Sequence, residues 1–87
     1  MGDYFLAIKP SARKELDGLP ENVLARAVAK IESLANSPRP AGCKKLKGHK
    51  DQWRIRVGDW RIVYIIDDQS RVVRVTHIAH RRDVYET

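Results

Sequence analysis

A chain of 87 residues suffices for one domain around a single modest core. With 43% hydrophobic and 32% charged residues it is composed like a folded domain, and no apolar run approaches the ~18 residues of a membrane span. The start, Met1-Gly2-Asp3-Tyr4, lacks the basic-then-apolar order of a secretory signal, and the lone Cys43 leaves no intrachain disulfide, so a reduced, cytoplasmic setting is expected.

The formal net charge of +6 is unevenly placed. Residues 1–38 hold five basic and five acidic side chains, whereas residues 39–87 hold twelve and six and so carry the whole excess. Between 39 and 61, eight basic residues face only Asp51 and Asp59. A local cationic field of this kind attracts polyanions, nucleic acid among them.

In chain order, Asp3–Lys9 alternates, with Tyr4, Leu6 and Ile8 on one side, and reads as a strand. Pro10-Ser11 offers a break with Ser11 as N-cap, and Ala12, Leu16 and Leu19 then give a short apolar helical face that Gly18 ends. Pro20 suits the first turn of a second helix. There Leu24, Ala27, Val28, Ile31, Leu34 and Ala35 recur at helical spacing, Arg26, Lys30 and Glu32 face outward, and Asn36-Ser37-Pro38 stops the pattern. Residues 38–50 read as loop around a short strand at Cys43–Lys47. Gly42 and Gly48 do not form a phosphate-binding loop, since the Gly-Lys-Ser/Thr ending is missing.

Two alternating strands then flank Gly58-Asp59, a two-residue loop suited to a type II′ turn. That turn sets Val57 opposite Trp60, Arg56 opposite Arg61, Ile55 opposite Ile62 and Arg54 opposite Val63. One face therefore carries Trp53, Ile55, Val57, Trp60, Ile62 and Tyr64, and the other Arg54, Arg56 and Arg61. Guanidiniums gathered on one sheet face repel unless an anion lies among them, and their planar forks match phosphate oxygens. A further strand spans Arg71–Ala79, with a register that the longer connection does not fix. His77 and His80 stand three apart without a third ligand at metal spacing, so no metal site and no cofactor are expected.

Taken in order, Lys45-Leu46-Lys47-Gly48, Trp53–Tyr64 and His77–Tyr85 resemble the pattern of the RelE/ParE toxins of type II toxin–antitoxin systems. The resemblance covers nearly the whole chain as a single domain, 1–87. It implies an α+β fold in which an N-terminal strand and two helices pack on a roughly four-stranded antiparallel sheet. On the RelE side it implies an mRNA endoribonuclease acting in the ribosomal A site, with mRNA and ribosome as partners and an acidic, RelB-like antitoxin as its silencer. The alternatives are a ParE-type inhibitor of DNA gyrase and a non-catalytic nucleic-acid-binding module. Arg61, Arg81 and Tyr85 match the family's catalytic positions, and Lys45, Lys47, Arg54, Arg56 and Arg82 fall to substrate binding. In the best-known RelE-type toxin Arg54 and Arg56 are lysine. Arginine stays protonated, so proton transfer is expected from Tyr85 or His80, with His77 and His49 behind them.

Overall fold

The computed structural model describes residues 3–46 and 51–82. Strand β1 (Phe5–Ile8) leads into α1 (Pro10–Asp17) and α2 (Glu21–Ser33), followed by β2 (Lys44–Lys45), β3 (Gln52–Val57), β4 (Trp60–Asp67) and β5 (Val72–His80). Helix α1 opens on Pro10 itself, whose fixed φ and missing N–H suit the first helical position. Its N-cap is Lys9, with no side-chain capping bond, so Ser11 lies inside the helix and is not its cap. Gly18 ends the helix in a right-handed conformation, φ −86°.

The strands form one five-stranded sheet in the order β1-β5-β4-β3-β2. All neighbours are antiparallel except β1, which runs parallel to β5 from Phe5↔Val72 to Ile8↔Val75. The N-terminal strand is thus the sheet's own edge, which raises the expected four strands to five. Both helices cover one side of the sheet. Ala12 and Leu16 of α1, Leu19, and Ala27, Ile31 and Leu34 from α2 and its end meet Ile55, Val57, Ile62, Tyr64, Ile66, Val73, Val75 and Ile78 in a single core. Trp53 and Trp60 pack at its margin, as the alternation of the hairpin requires.

One irregularity changes the phase of β5. Tyr64 pairs with Val75 but Val63 pairs with His77, leaving Thr76 as an extra residue whose hydroxyl donates to the Val63 carbonyl at 3.3 Å. Before this bulge Val73 and Val75 face the core, and after it Ile78 does. Beyond the last pair with β1, the Glu15 carboxylate takes over the free edge of β5. It accepts the Ile78 N–H at 3.0 Å and stands 3.0 Å from His77 Nδ1.

Two polar ties hold the loops. The fully buried Tyr64 hydroxyl donates to the Pro38 carbonyl at 2.7 Å, and burial above all pushes its pKa well above the usual tyrosine value. At the surface, Asp68 accepts from Tyr4 at 2.6 Å and from Arg39 at 2.8 Å. The Arg39 guanidinium first, and the Tyr4 hydroxyl second, hold the Asp68 carboxyl below its ordinary range.

Tyr64→Phe keeps the ring but deprives the Pro38 carbonyl of its donor, and should cost about 1–2 kcal/mol in denaturant unfolding. Because the Asp68 pKa is depressed on folding, the stability it confers is present above its unfolded value, ~3.9, and is lost as pH falls through the lower folded value. Melting curves of wild type and Asp68→Asn should therefore differ at neutral pH and converge in acid, and a gap that persists below both values would assign the loss to geometry.

Candidate nucleic-acid interface

The site is built by the phase of the β3–β4 hairpin. Gly58 has φ +58°, and Asp59 is not among the left-handed residues, which is the signature of a type II′ turn. The register follows as expected, with Val57↔Trp60, Arg56↔Arg61, Ile55↔Ile62 and Arg54↔Val63. Arg54, Arg56 and Arg61 accordingly share the side of the sheet away from the helices.

The three arginines of this side differ in exposure. Arg56 is exposed, whereas Arg54 and Arg61 are only 4% and 9% accessible. Backbone carbonyls help to orient the buried pair: Arg54 Nη1 lies 3.5 Å from the Gly42 oxygen, and Arg61 Nη1 lies 3.3 Å and 3.5 Å from those of Trp60 and Gly58. Strand β2 adds a cation. Lys44 pairs with Arg54, while Lys45 pairs with Trp53 and so takes the side of the tryptophan. Of these two lysines the register brings Lys44 onto the arginine side. Two like-charged cross-strand pairs, Lys44–Arg54 and Arg56–Arg61, therefore stand next to each other.

Arg81 joins the site at the hairpin's end. Its N–H donates to the Asp59 carbonyl at 2.7 Å, and its Nε stands 3.8 Å from Asp59 Oδ1 in a pair more than half exposed on both sides. Such a pair contributes little and exchanges readily. Arg82 is exposed, and its N–H donates to His80 Nδ1 at 3.3 Å.

The bulge at Thr76 decides the histidines. His80 pairs with Trp60 and meets its ring edge-on, centroids 5.4 Å apart, on the helix-facing side. It is thereby held away from the side that carries Arg61, which pairs with Ala79. His77 shares the arginine side but is engaged by Glu15. Tyr85, Lys47 and His49 lie outside the described residues.

Between α2 and the edge of the sheet lies a cavity of about 410 Å³ lined by Lys30, Lys44, Arg54, Ile55 and Arg56 together with the Ala41-Gly42-Cys43 turn. Lys30 and Lys44 were not singled out in the sequence. Helical spacing marks Lys30 only as outward-facing, and nothing local fixes which lysine of β2 faces which way. Among the described residues no group of three His, Cys, Asp or Glu side chains is placed to hold a metal ion.

Two helices on one side of a small antiparallel sheet, with a cationic hairpin on the other, define a toxin of the RelE/ParE fold. The chain belongs to the family of ParE toxins of type II toxin–antitoxin systems, whose model matches residues 6–85. Toxin RelE of Mycobacterium tuberculosis is 35% identical over 83 residues, covering 94% of this chain and 86% of that protein. The RelE–RelB complex of Pyrococcus horikoshii contains a chain that superposes with TM-score 0.82 at 25% identity, over 94% of this chain and 99% of its own. Isolated Escherichia coli RelE superposes with TM-score 0.78 at 30% identity, over 88% and 83%. The protein is a type II toxin similar to RelE.

The opposed cations should weaken the fold. Arg56→Thr removes one member of a like-charged pair and suits a strand, so it should raise the melting temperature at low ionic strength by roughly 0.2–1 kcal/mol of stability. The gain should shrink at molar salt. A destabilised Arg56→Thr at low salt would mean that Arg56 contributes packing that outweighs the repulsion.

Proposed function

We propose that this toxin is an mRNA endoribonuclease that arrests translation by cutting messenger RNA in the ribosomal A site. A co-encoded, acidic, RelB-like antitoxin would keep it inactive in the cytoplasm. The observation that carries the reading is the hairpin register, which sets Arg54, Arg56 and Arg61 on one side of the sheet with Arg81 at its end. The likeness to RelE toxins, and the RelE–RelB assembly of a solved relative, support the toxin's class and its kind of partner.

The chemistry is an in-line displacement. The 2′-oxygen attacks the adjacent phosphorus and gives up its proton, the P–O5′ bond breaks, and the leaving 5′-oxygen takes a proton. The products are a 2′,3′-cyclic phosphate and a 5′-hydroxyl. Negative charge grows on the phosphorane oxygens, and fixed cations aimed there lower the barrier without a metal's help. Arg61 and Arg81 are assigned to that charge, with Arg54 and Arg56 holding the strand. Arg82 and Lys45 supply charge around it. Guanidinium cannot act as base at neutral pH. With His80 packed against Trp60, proton transfer is assigned to Tyr85 in this proposal, and Lys47 remains assigned to substrate.

The matching family model is that of ParE toxins, which keeps a second reading in play, inhibition of DNA gyrase. Induced expression in a bacterial host separates the two. Amino-acid incorporation should fall before thymidine incorporation, and the reverse order with DNA breaks would move the protein to the gyrase class. Within the first reading, Arg61→Ala and Arg81→Ala should each slow cleavage ~10²–10³-fold, as when a transition-state donor is lost. Lys at either position should recover part of the rate, since a point charge replaces a fork. Tyr85→Phe should be nearly as slow as Tyr85→Ala if the hydroxyl moves a proton, and near wild type if the ring only stacks on a base.

A further inference from the structure

We propose that Trp60 and His80, at the end of the sheet where β4 begins and β5 finishes, form a stacking site for the RNA base next to the phosphate that is cut, with Arg26 of α2 as a cation at its rim. The inference rests on the RNA-cleaving reading for the identity of its ligand.

The two rings are brought together by the strand register. Trp60 opens β4, His80 closes β5, and the two are direct cross-strand partners. Their ring centroids lie 5.4 Å apart with the planes at 82°. Perpendicular rings make a corner, in which a base laid parallel to one plane meets the other edge-on, and aromatic rings favour both arrangements. Neither ring is closed off, since Trp60 and His80 are both half-buried. The other tryptophan differs. Trp53, at the same margin of the core, has the Arg39 guanidinium over its ring, 5.1 Å from the centroid. The corner is also held in place by the backbone around it. His80 Nδ1 accepts the Arg82 N–H at 3.3 Å, and the Arg81 N–H donates to the Asp59 carbonyl at 2.7 Å, which ties the end of β5 to the hairpin turn. Rings fixed in this way lose little freedom on binding, so more of the stacking energy appears as affinity.

The corner adjoins the proposed cleavage site through the chain itself. Trp60 precedes Arg61 and His80 precedes Arg81, the two arginines assigned to the phosphorane charge. Consecutive strand residues such as Trp60 and Arg61 point to opposite sides of the sheet. A nucleotide that straddles the end of the sheet, with its phosphate at Arg61 and Arg81, thus lays its base against the rings. Arg26 marks the rim. It is exposed, and its guanidinium comes within 3.7 Å of where a Cβ of Gly58 would stand, which places a helix cation over the turn that Arg81 joins from β5. Asp59 is the carboxylate at that turn, and its pair with Arg81, at 3.8 Å and more than half exposed on both sides, yields readily to a phosphate. Aromatic planes beside cations that follow a backbone are the two parts of a site for single-stranded RNA.

The test uses the full chain. Trp53 and Trp60 are its two tryptophans, so Trp53→Phe leaves Trp60 as the sole indole. This variant is titrated with a labelled octamer of 2′-O-methyl RNA, which has no free 2′-hydroxyl to attack and so stays whole. Anisotropy of the label reports binding, and indole emission reports stacking. Saturation should strongly quench Trp60, whereas an octamer of the same backbone without bases should bind more weakly and leave the emission unchanged. With Trp53 in place, Trp60→Leu should lower affinity about tenfold at an unchanged salt slope, because stacking releases no counterions. Arg26→Ala should instead lower the slope by about 0.7. Trp60→Phe keeps a ring and should keep most of the affinity. Should Trp60→Leu fail to fold, the emission titration decides alone. Equal quenching by the base-free octamer, an RNA octamer that binds with Trp60 emission unchanged, or one that does not bind would each overturn the site, and a chain that still cuts messenger would then keep the endoribonuclease reading. Base-dependent quenching in a chain that cuts no messenger would keep the site and remove that reading.

Discussion

The structure depends on the phase of one hairpin. Because side chains alternate, a slip of one residue at Gly58-Asp59 would turn Arg54, Arg56 and Arg61 under the helices and put Trp53, Ile55 and Val57 in water. Exposing that apolar set would alone cost on the order of 10 kcal/mol, before the penalty of burying the guanidiniums in the core. The turn that prevents this is small. Gly58 adopts φ +58°, where a side chain is strained, and a Cβ there would also come within 3.7 Å of the Arg26 guanidinium from α2. Fold and site therefore have one origin: the residue that sets the core also sets the cationic side.

A second phase element acts at the other end of the sheet. Without Thr76 as an extra residue, β5 would continue its alternation beyond Val75 and turn His77 inward and Ile78 outward. The bulge instead buries Ile78, at 2% accessibility, and delivers His77 to Glu15. Glu15 then serves two ends, closing the strand edge that β1 leaves free and holding an imidazole away from the arginines. The same shift turns His80 onto the ring of Trp60. His77 and His80 are thus each engaged by a neighbour, Glu15 and Trp60.

What was legible in the sequence follows from loop length. The β3–β4 register was readable pair by pair because a two-residue turn admits only one phase, and the helices were readable from their apolar spacing. The bulge was not, since Val75-Thr76-His77 alternates no differently from a regular strand. Nor was the phase of β2, whose two residues are both lysine, so that nothing local fixes which of them faces the arginine side. The helix start was misread because both Pro10 and Ser11 carry N-terminal preferences, and proline's fixed φ decided the contest. Lys30 was invisible for a different reason. Facing outward from a helix says nothing about overhanging a neighbouring strand, and that overhang is what brings it to the cavity.

Arginine rather than lysine on β3 bears on which part of the proposed chemistry this side would perform. A lysine among like charges loses part of its proton affinity and becomes able to exchange a proton, whereas a guanidinium in the same field remains a cation. The row formed by Arg54, Arg56 and Arg61 is therefore a field and not a proton relay. In the proposed reaction such a field would act on the substrate's own acidity: a 2′-hydroxyl beside several fixed positive charges ionises more easily, and a leaving 5′-oxygen needs less help from an acid. The more of the barrier that is removed electrostatically, the weaker the base that suffices. In the proposed reaction a single tyrosine, or water, would then suffice to move the proton. On this view the charge gathered on one side of the sheet is the quantity that would lower the barrier in the proposed reaction, while the helices bury the apolar surface of its other side.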